Sequence, residues 1–156
     1  AKRLPWDVLL LLGGGFALAE SFRHTGLDVW LGGRLVMLQG IPTPVLIFLL
    51  CLGVAVVGNV TSNTAIAAML VPMVASAAGP LNVHPYLLMI PATLAASFDF
   101  MLPAGTPPNA IIYGSGYVTI PQMARAGLPL TLLGAAWITL ATYLLVLPVF
   151  GVRAVP

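Results

Sequence analysis

The chain has 156 residues, of which 60% are hydrophobic and only 6% charged, with a net charge of +2 and a mean hydropathy of +1.04. A water-soluble domain carries about 25% charged residues, so this composition excludes an ordinary soluble globule, and its apolar content excludes a disordered chain. The six basic residues are scattered at the ends of apolar runs and form no nucleic-acid footprint.

In chain order, residues 8–21 form an apolar run containing Gly13-Gly14-Gly15, preceded by Lys2, Arg3 and Trp6. Lys-Ser/Thr does not follow these glycines as in a phosphate loop. They suit close helix packing in a membrane, with Trp6 as an interfacial anchor. The run is longer than a signal-peptide core and lacks a clean cleavage site, so it is predicted to be a span. The absence of an initial Met suggests part of something longer. Residues 20–34 gather Glu20, Arg23, His24, Asp28 and Arg34 around Phe22, Leu27 and Trp30, the pattern of an amphipathic helix lying in the interface.

From residue 35 to 124 the only formally charged side chain is Asp99. An apolar helix is expected from about Ile41-Pro42 to Gly58, followed by the polar stretch Thr61-Ser62-Asn63-Thr64. A second runs over 65–78 and is closed by Gly79-Pro80. At 1.5 Å per residue that second helix is about 21 Å long, too short for a hydrocarbon core of about 30 Å. A re-entrant hairpin with Ser62-Asn63-Thr64 at its tip accounts for both arms, and such loops are tolerated where protein or a wet cavity surrounds them. His84 beside Pro85 reads as a boundary residue. A further apolar run, 86–102, breaks at Pro103-Ala104-Gly105-Thr106-Pro107-Pro108, and a stub over 109–117 completes one broken helix. Residues 120–127, holding Gln122 and Arg125, read as a Pro- and Gly-punctuated link, and 128–150 as a final span. Lone Cys51 lies in an apolar helix pattern and reads as a small buried filler.

The fold class is therefore an all-α membrane protein: transmembrane helices with one re-entrant helical hairpin and one broken helix. Three parts are expected. Residues 1–34 hold a transmembrane and an interfacial helix. Residues 35–120 form a transport part, with the hairpin at about 41–79 and the broken helix at about 85–118. Residues 121–156 supply the C-terminal span. Orientation is not set by charge, because basic residues fall almost evenly on the two sides.

The chemistry sits at the two breaks. Thr64 opens one helix, and Thr106 is placed as N-cap with Pro107 at the first helical position of another. Two positive helix ends facing each other make an anion site, to which Ser62, Asn63, Thr64, Thr106 and Asn109 add neutral donors. The carbonyls ending the preceding arms, near Val60-Thr61 and Ala104-Gly105, are hard oxygen ligands of the kind that hold Na⁺ in discontinuous helices. Gly105 allows close approach of the backbone to a ligand. Without a lysine or arginine at the breaks, binding is weak and reversible, and a co-bound cation would supply the missing charge. The plain alternative is that Ser-Asn-Thr merely caps a helix and Thr-Pro-Pro-Asn merely kinks one. Asp99 is an ionisable residue inside a span and hence a functional candidate. No paired carboxylates or nucleophile-base groupings support an enzyme, and Gly114-Ser115-Gly116 is not a nucleophile elbow.

Ser62-Asn63-Thr64-Ala65, and above all the stretch from Phe100-Met101-Leu102-Pro103 through Ala104-Gly105-Thr106-Pro107-Pro108-Asn109, closely resemble the divalent anion/sodium symporter family, the INDY-type dicarboxylate, citrate and sulfate carriers. Pro5-Trp6 and Leu11-Leu12-Gly13-Gly14-Gly15 agree with it. The resemblance implies two inverted repeats, of which this chain would be the C-terminal portion of the second. It implies Asn63, Thr64, Thr106 and Pro107 on the substrate carboxylate, and Thr61, Ser62, Asn63 and Gly105 around one Na⁺, with Asp99 and Asn109 as accessory candidates. It further implies an elevator-like movement, Na⁺ as the co-transported ion with no organic cofactor, and a cell-membrane location. The partners it implies are a divalent anion such as succinate, the lipid bilayer, the missing N-terminal repeat and, at full length, a second copy in a homodimer. Many members have an acid where this chain has Asn59, and several have a small neutral residue at Asp99. The competing expectations are a non-transporting membrane subunit or orphan fragment, a Na⁺-independent exchanger, or a sulfate carrier.

Overall fold

The computed structural model describes residues 40–60 and 63–151, with isolated positions between 13 and 30. The expected span over 8–21 and the interfacial helix over 20–34 fall outside the described residues except at those positions. There, His24 and Glu20 pair at 3.2 Å on an exposed surface, as a solvated face would.

Among the described residues every regular element is helical: α1 (Thr43–Gly58), α2 (Asn63–Ala78), α3 (Tyr86–Ala95), α4 (Pro107–Gly114) and α5 (Ile120–Ala141). A π-helical turn (Thr142–Val146) then leads into α6 (Leu147–Phe150). The turn has a local cause. Pro148 has no N–H to give the helix ladder, and the Leu147 N–H reaches back five residues to the Thr142 carbonyl. Gly151, in the left-handed region at φ 60°, caps α6.

α5 through α6, Ile120–Phe150, is the one described helical stretch long and apolar enough to cross a membrane. α1 and α3 are apolar but shorter, as is the Ile66–Ala78 part of α2. α5 begins earlier than the final span expected at 128, so the expected link over 120–127 is helix. Pro121 occupies the first turn, where its missing N–H costs nothing, and the Gln122 side-chain carbonyl accepts from the Thr119 N–H at 2.8 Å.

The core lies where α1, α2, α3 and α5 meet. Ile47, Cys51 and Val54 of α1 pack with Ile66 of α2, Leu87, Leu88 and Ala92 of α3, and Ala135 and Ile138 of α5. Cys51 is buried and unpaired by disulfide, with its thiol directed at the Pro91 carbonyl. Buried Thr131 and Thr142 give their hydroxyls to carbonyls one turn back in their own helix. The outer side of α5 carries exposed Leu128, Leu133 and Trp137, continued by Leu144 in the π-helical turn, an apolar face suited to lipid or to another protein surface.

Small residues set how closely α5 approaches the segment after α3. A β-carbon at Gly127 would strike the Phe100 backbone, and one at Gly134 would strike the Phe98 ring. Gly134→Leu is expected to force these elements apart and to destabilise the protein by about 1–3 kcal/mol, the usual range for overpacking. Thermal unfolding in detergent checks this, and an unchanged midpoint would contradict the packing.

Candidate functional site

The second break is longer than the sequence suggests. α3 ends at Ala95, not at 102, and 96–106 is irregular up to the start of α4. This segment takes its backbone partners from elsewhere in the fold. Asn59, directly after α1, is 1% exposed, and its Oδ1 accepts from the N–H groups of Met101 at 2.9 Å and Leu102 at 3.0 Å. Its Nδ2 donates to the Ala55 carbonyl at 2.7 Å, so both polar atoms of the side chain have partners. Buried backbone donors need such partners. One amide thus ties the end of α1 to the break ahead of α4. Neither spacing nor residue type marks Asn59 for this task; its only sequence signal is a polar side chain closing an apolar run.

Asn109 supports the same loop from the other side. Its Nδ2 donates to the Asp99 carbonyl at 2.6 Å and to the Leu102 carbonyl at 3.1 Å. Both amide hydrogens are therefore used, which makes Asn109 a brace for the break and not a donor free for a solute. Thr106 is the N-cap that the sequence indicates, extended at φ −141° and ψ 153°, with its Oγ1 accepting from the Asn109 N–H at 3.4 Å. Pro107 follows in the first turn of α4 and is exposed. Thr106 is half-buried, and its hydroxyl hydrogen is given to no partner in the described structure.

At the first break, α2 opens with Asn63 and Thr64. Thr64 is exposed, while Asn63 is half-buried with its Oδ1 enclosed and unpartnered. Thr61 and Ser62, expected near Na⁺, lie outside the described residues. Gly105 sits against the first break: a β-carbon there would lie 3.6 Å from the Asn59 Cα and 2.7 Å from the Asp99 Cβ. Asp99 itself is fully buried among these groups. The structure therefore brings Asn59, Asp99, Gly105 and the backbone of 101–102 together at one point, with α2 and α4 opening close by in sequence.

No group of three or more His, Cys, Asp or Glu that could hold a metal occurs among the described residues, so a cation here would rely on main-chain oxygens with at most one carboxylate. A cavity of about 390 Å³ lies elsewhere, lined by Val71, Met89, Ile90 and Phe150, and its apolar wall does not suit an anion. His84 stacks edge-on against Tyr86 and is exposed, as a boundary residue would be.

This combination of interrupted helices, an Asn-Thr helix start and a Thr-Pro-Pro-Asn cap has a match over nearly the whole chain: residues 1–150 fit the sodium:sulfate symporter transmembrane region. The chain belongs to the sodium:sulfate symporter family. It is 45% identical over 152 residues to the sodium-dependent dicarboxylate transporter SdcS of Staphylococcus saprophyticus, covering 97% of this chain and 29% of that protein. It is 44% identical over 155 residues to solute carrier family 13 member 2 of Oryctolagus cuniculus, covering 99% of this chain and 26% of that protein. The human protein of the same name is 42% identical over 155 residues. The chain thus spans between a quarter and a third of the length of these relatives. The family is one of membrane transporters, and the apolar composition agrees with a membrane location.

Proposed function

We propose that the chain forms part of a carrier that moves a C4-dicarboxylate such as succinate across the cell membrane together with Na⁺. In this reading α1 and α2 are the arms of a re-entrant hairpin, and α3 and α4 are the halves of a broken helix. The observation that carries it is the Asn59 tie. It anchors the end of α1 to the loop that precedes α4, so α2 and α4 each begin within a few residues of one polar knot in apolar surroundings. Each N-terminus carries a partial positive charge; α2 adds the unpaired N–H groups of its first turn, whereas α4, opening with Pro107 and Pro108, adds its dipole and the Thr106 hydroxyl. A dianion is held there by Asn63, Thr64, Thr106 and Pro107, without any basic side chain between residues 35 and 124. The cation takes carbonyl oxygens near Gly105, with Thr61, Ser62 and Asn63 completing its surroundings. Its charge offsets that of the solute and couples the two movements.

Dicarboxylate is favoured over sulfate because SdcS, 45% identical, is named for it. The rest of the site comes from the other inverted repeat. The hairpin and broken helix move together, elevator-like, against a scaffold that pairs two copies.

The test is uptake of labelled succinate by the protein from the complete reading frame that encodes this chain, reconstituted in liposomes. Accumulation is expected with an inward Na⁺ gradient and not with choline, and sulfate is expected to compete poorly. Asn63→Ala is expected to cut the transport efficiency at least about tenfold, a loss of about 1.4 kcal/mol, while the protein still inserts. Uptake indifferent to Na⁺, or Asn63→Ala working at the wild-type rate, would overturn the reading.

A further inference from the structure

Asp99 is 0% exposed, and neither of its carboxylate oxygens has a hydrogen-bond partner. Its enclosure is built from missing side chains. A β-carbon at Gly58 would overlap the carboxylate, and one at Gly105 would press on the Asp99 Cβ. The polar neighbours are turned elsewhere: the Asn59 Nδ2 donates to the Ala55 carbonyl, and the Asn109 Nδ2 gives both its hydrogens to the carbonyls of Asp99 and Leu102. No lysine or arginine occurs between residues 35 and 124. Gly58 is the last residue of α1, so the carboxylate also faces the negative end of that helix. Burial, missing donors and the helix dipole all disfavour a bare anion here, and all three favour a cation beside it.

We propose that the Asp99 carboxylate is a direct ligand of a co-transported Na⁺, seated between the end of α1 and the turn at Gly105, with main-chain carbonyl oxygens as its other ligands. A side chain at Gly58 would fill the space the carboxylate occupies, and one at Gly105 would push the Asp99 Cβ and main chain out of place. A ligand carrying a full charge binds a hard cation more firmly than carbonyl dipoles alone. This chain therefore holds Na⁺ without depending on a bound dianion. The inference rests on the Na⁺-coupled reading above and adds a residue to it.

The experiment uses the protein of the complete reading frame in detergent, without dicarboxylate. Its unfolding temperature is followed as NaCl replaces choline chloride at constant ionic strength. The wild type is expected to be stabilised by Na⁺ alone, and Asp99→Asn to require at least tenfold more Na⁺ for half the effect. An unchanged Na⁺ dependence in Asp99→Asn overturns the assignment. Should that variant fail to fold, the wild type decides by itself: NaCl, and not choline chloride, is expected to slow modification of Asp99 by dicyclohexylcarbodiimide. Equal rates, or no modification in either salt, overturn it. A wild type that shows neither Na⁺ stabilisation nor Na⁺-dependent uptake removes the Na⁺-coupled reading itself. Na⁺ stabilisation that Asp99→Asn leaves untouched removes only the role of Asp99.

Discussion

Asn59→Leu is expected to leave the protein inserted but less stable by roughly 2–4 kcal/mol, and to abolish uptake. The size follows from what the amide holds. Met101 and Leu102 would lose the acceptor of both N–H groups, and a buried donor left unpaired costs about 1–3 kcal/mol. These two are partly buried, so the sum falls below the upper limit. Leucine is close in volume, so cavity formation adds little. The effect on transport is larger than stability alone gives, because the loop at 101–105 loses its tie to α1 and the start of α4 moves with it. Asn59→Asp separates the two contributions. It keeps an acceptor for both N–H groups, but it sets a second carboxylate near Asp99, which burial and like charge penalise. Asn59→Asp is therefore expected to unfold at a higher temperature than Asn59→Leu and still to transport poorly. Thermal unfolding and uptake of both variants check this. An Asn59→Leu protein with wild-type stability would show that the tie contributes nothing.

Much of the helical layout is legible in the sequence because the apolar runs and their stops are local. Gly58-Asn59 ends α1, Gly79-Pro80 ends α2, and Thr106-Pro107 starts α4 by side-chain and ring geometry that needs no distant partner. What the sequence hides depends on contacts far along the chain. Residues 96–102 are nearly as apolar as α3, and nothing in them says that Asn59 will supply the acceptor that a helix would otherwise provide. The helix therefore reads as continuing to Leu102 when it stops at Ala95. Residues 120–127 mislead in the opposite direction, since Pro and Gly suggest a link. Pro121 sits where a helix accepts it, and Gly127 is the close-contact residue against Phe100. Asn109 reads as a free donor and turns out to be a brace. Asp99 stands out as the lone acid of the apolar stretch, but its glycine cradle exists only after Gly58 and Gly105 are folded together.

Thr106→Val should separate folding from transport. Valine matches threonine in shape and removes the hydroxyl, which accepts from the Asn109 N–H and has a hydrogen given to no partner among the described residues. The accepted bond is long, 3.4 Å, so the lost cap should cost only about 0.5–1 kcal/mol, the low end for N-cap replacement. In the proposed site the hydroxyl hydrogen meets a carboxylate of the solute, and its loss removes a hydrogen bond to a charged group, about 1.5–3 kcal/mol. That corresponds to a fall in apparent affinity of about tenfold to a hundredfold, since each 1.4 kcal/mol is tenfold. The expected result is a small drop in unfolding temperature beside a large rise in KM for succinate, with Thr106→Ser restoring both. A pure cap would behave otherwise: stability and KM would move little and together, and Thr106→Asp, a good N-cap, would restore function. At a site for a dianion, Thr106→Asp restores the cap and repels the solute, so the helix recovers and uptake does not. Uptake by Thr106→Asp at the wild-type level would reduce Thr106 to a helix cap and remove it from the binding site.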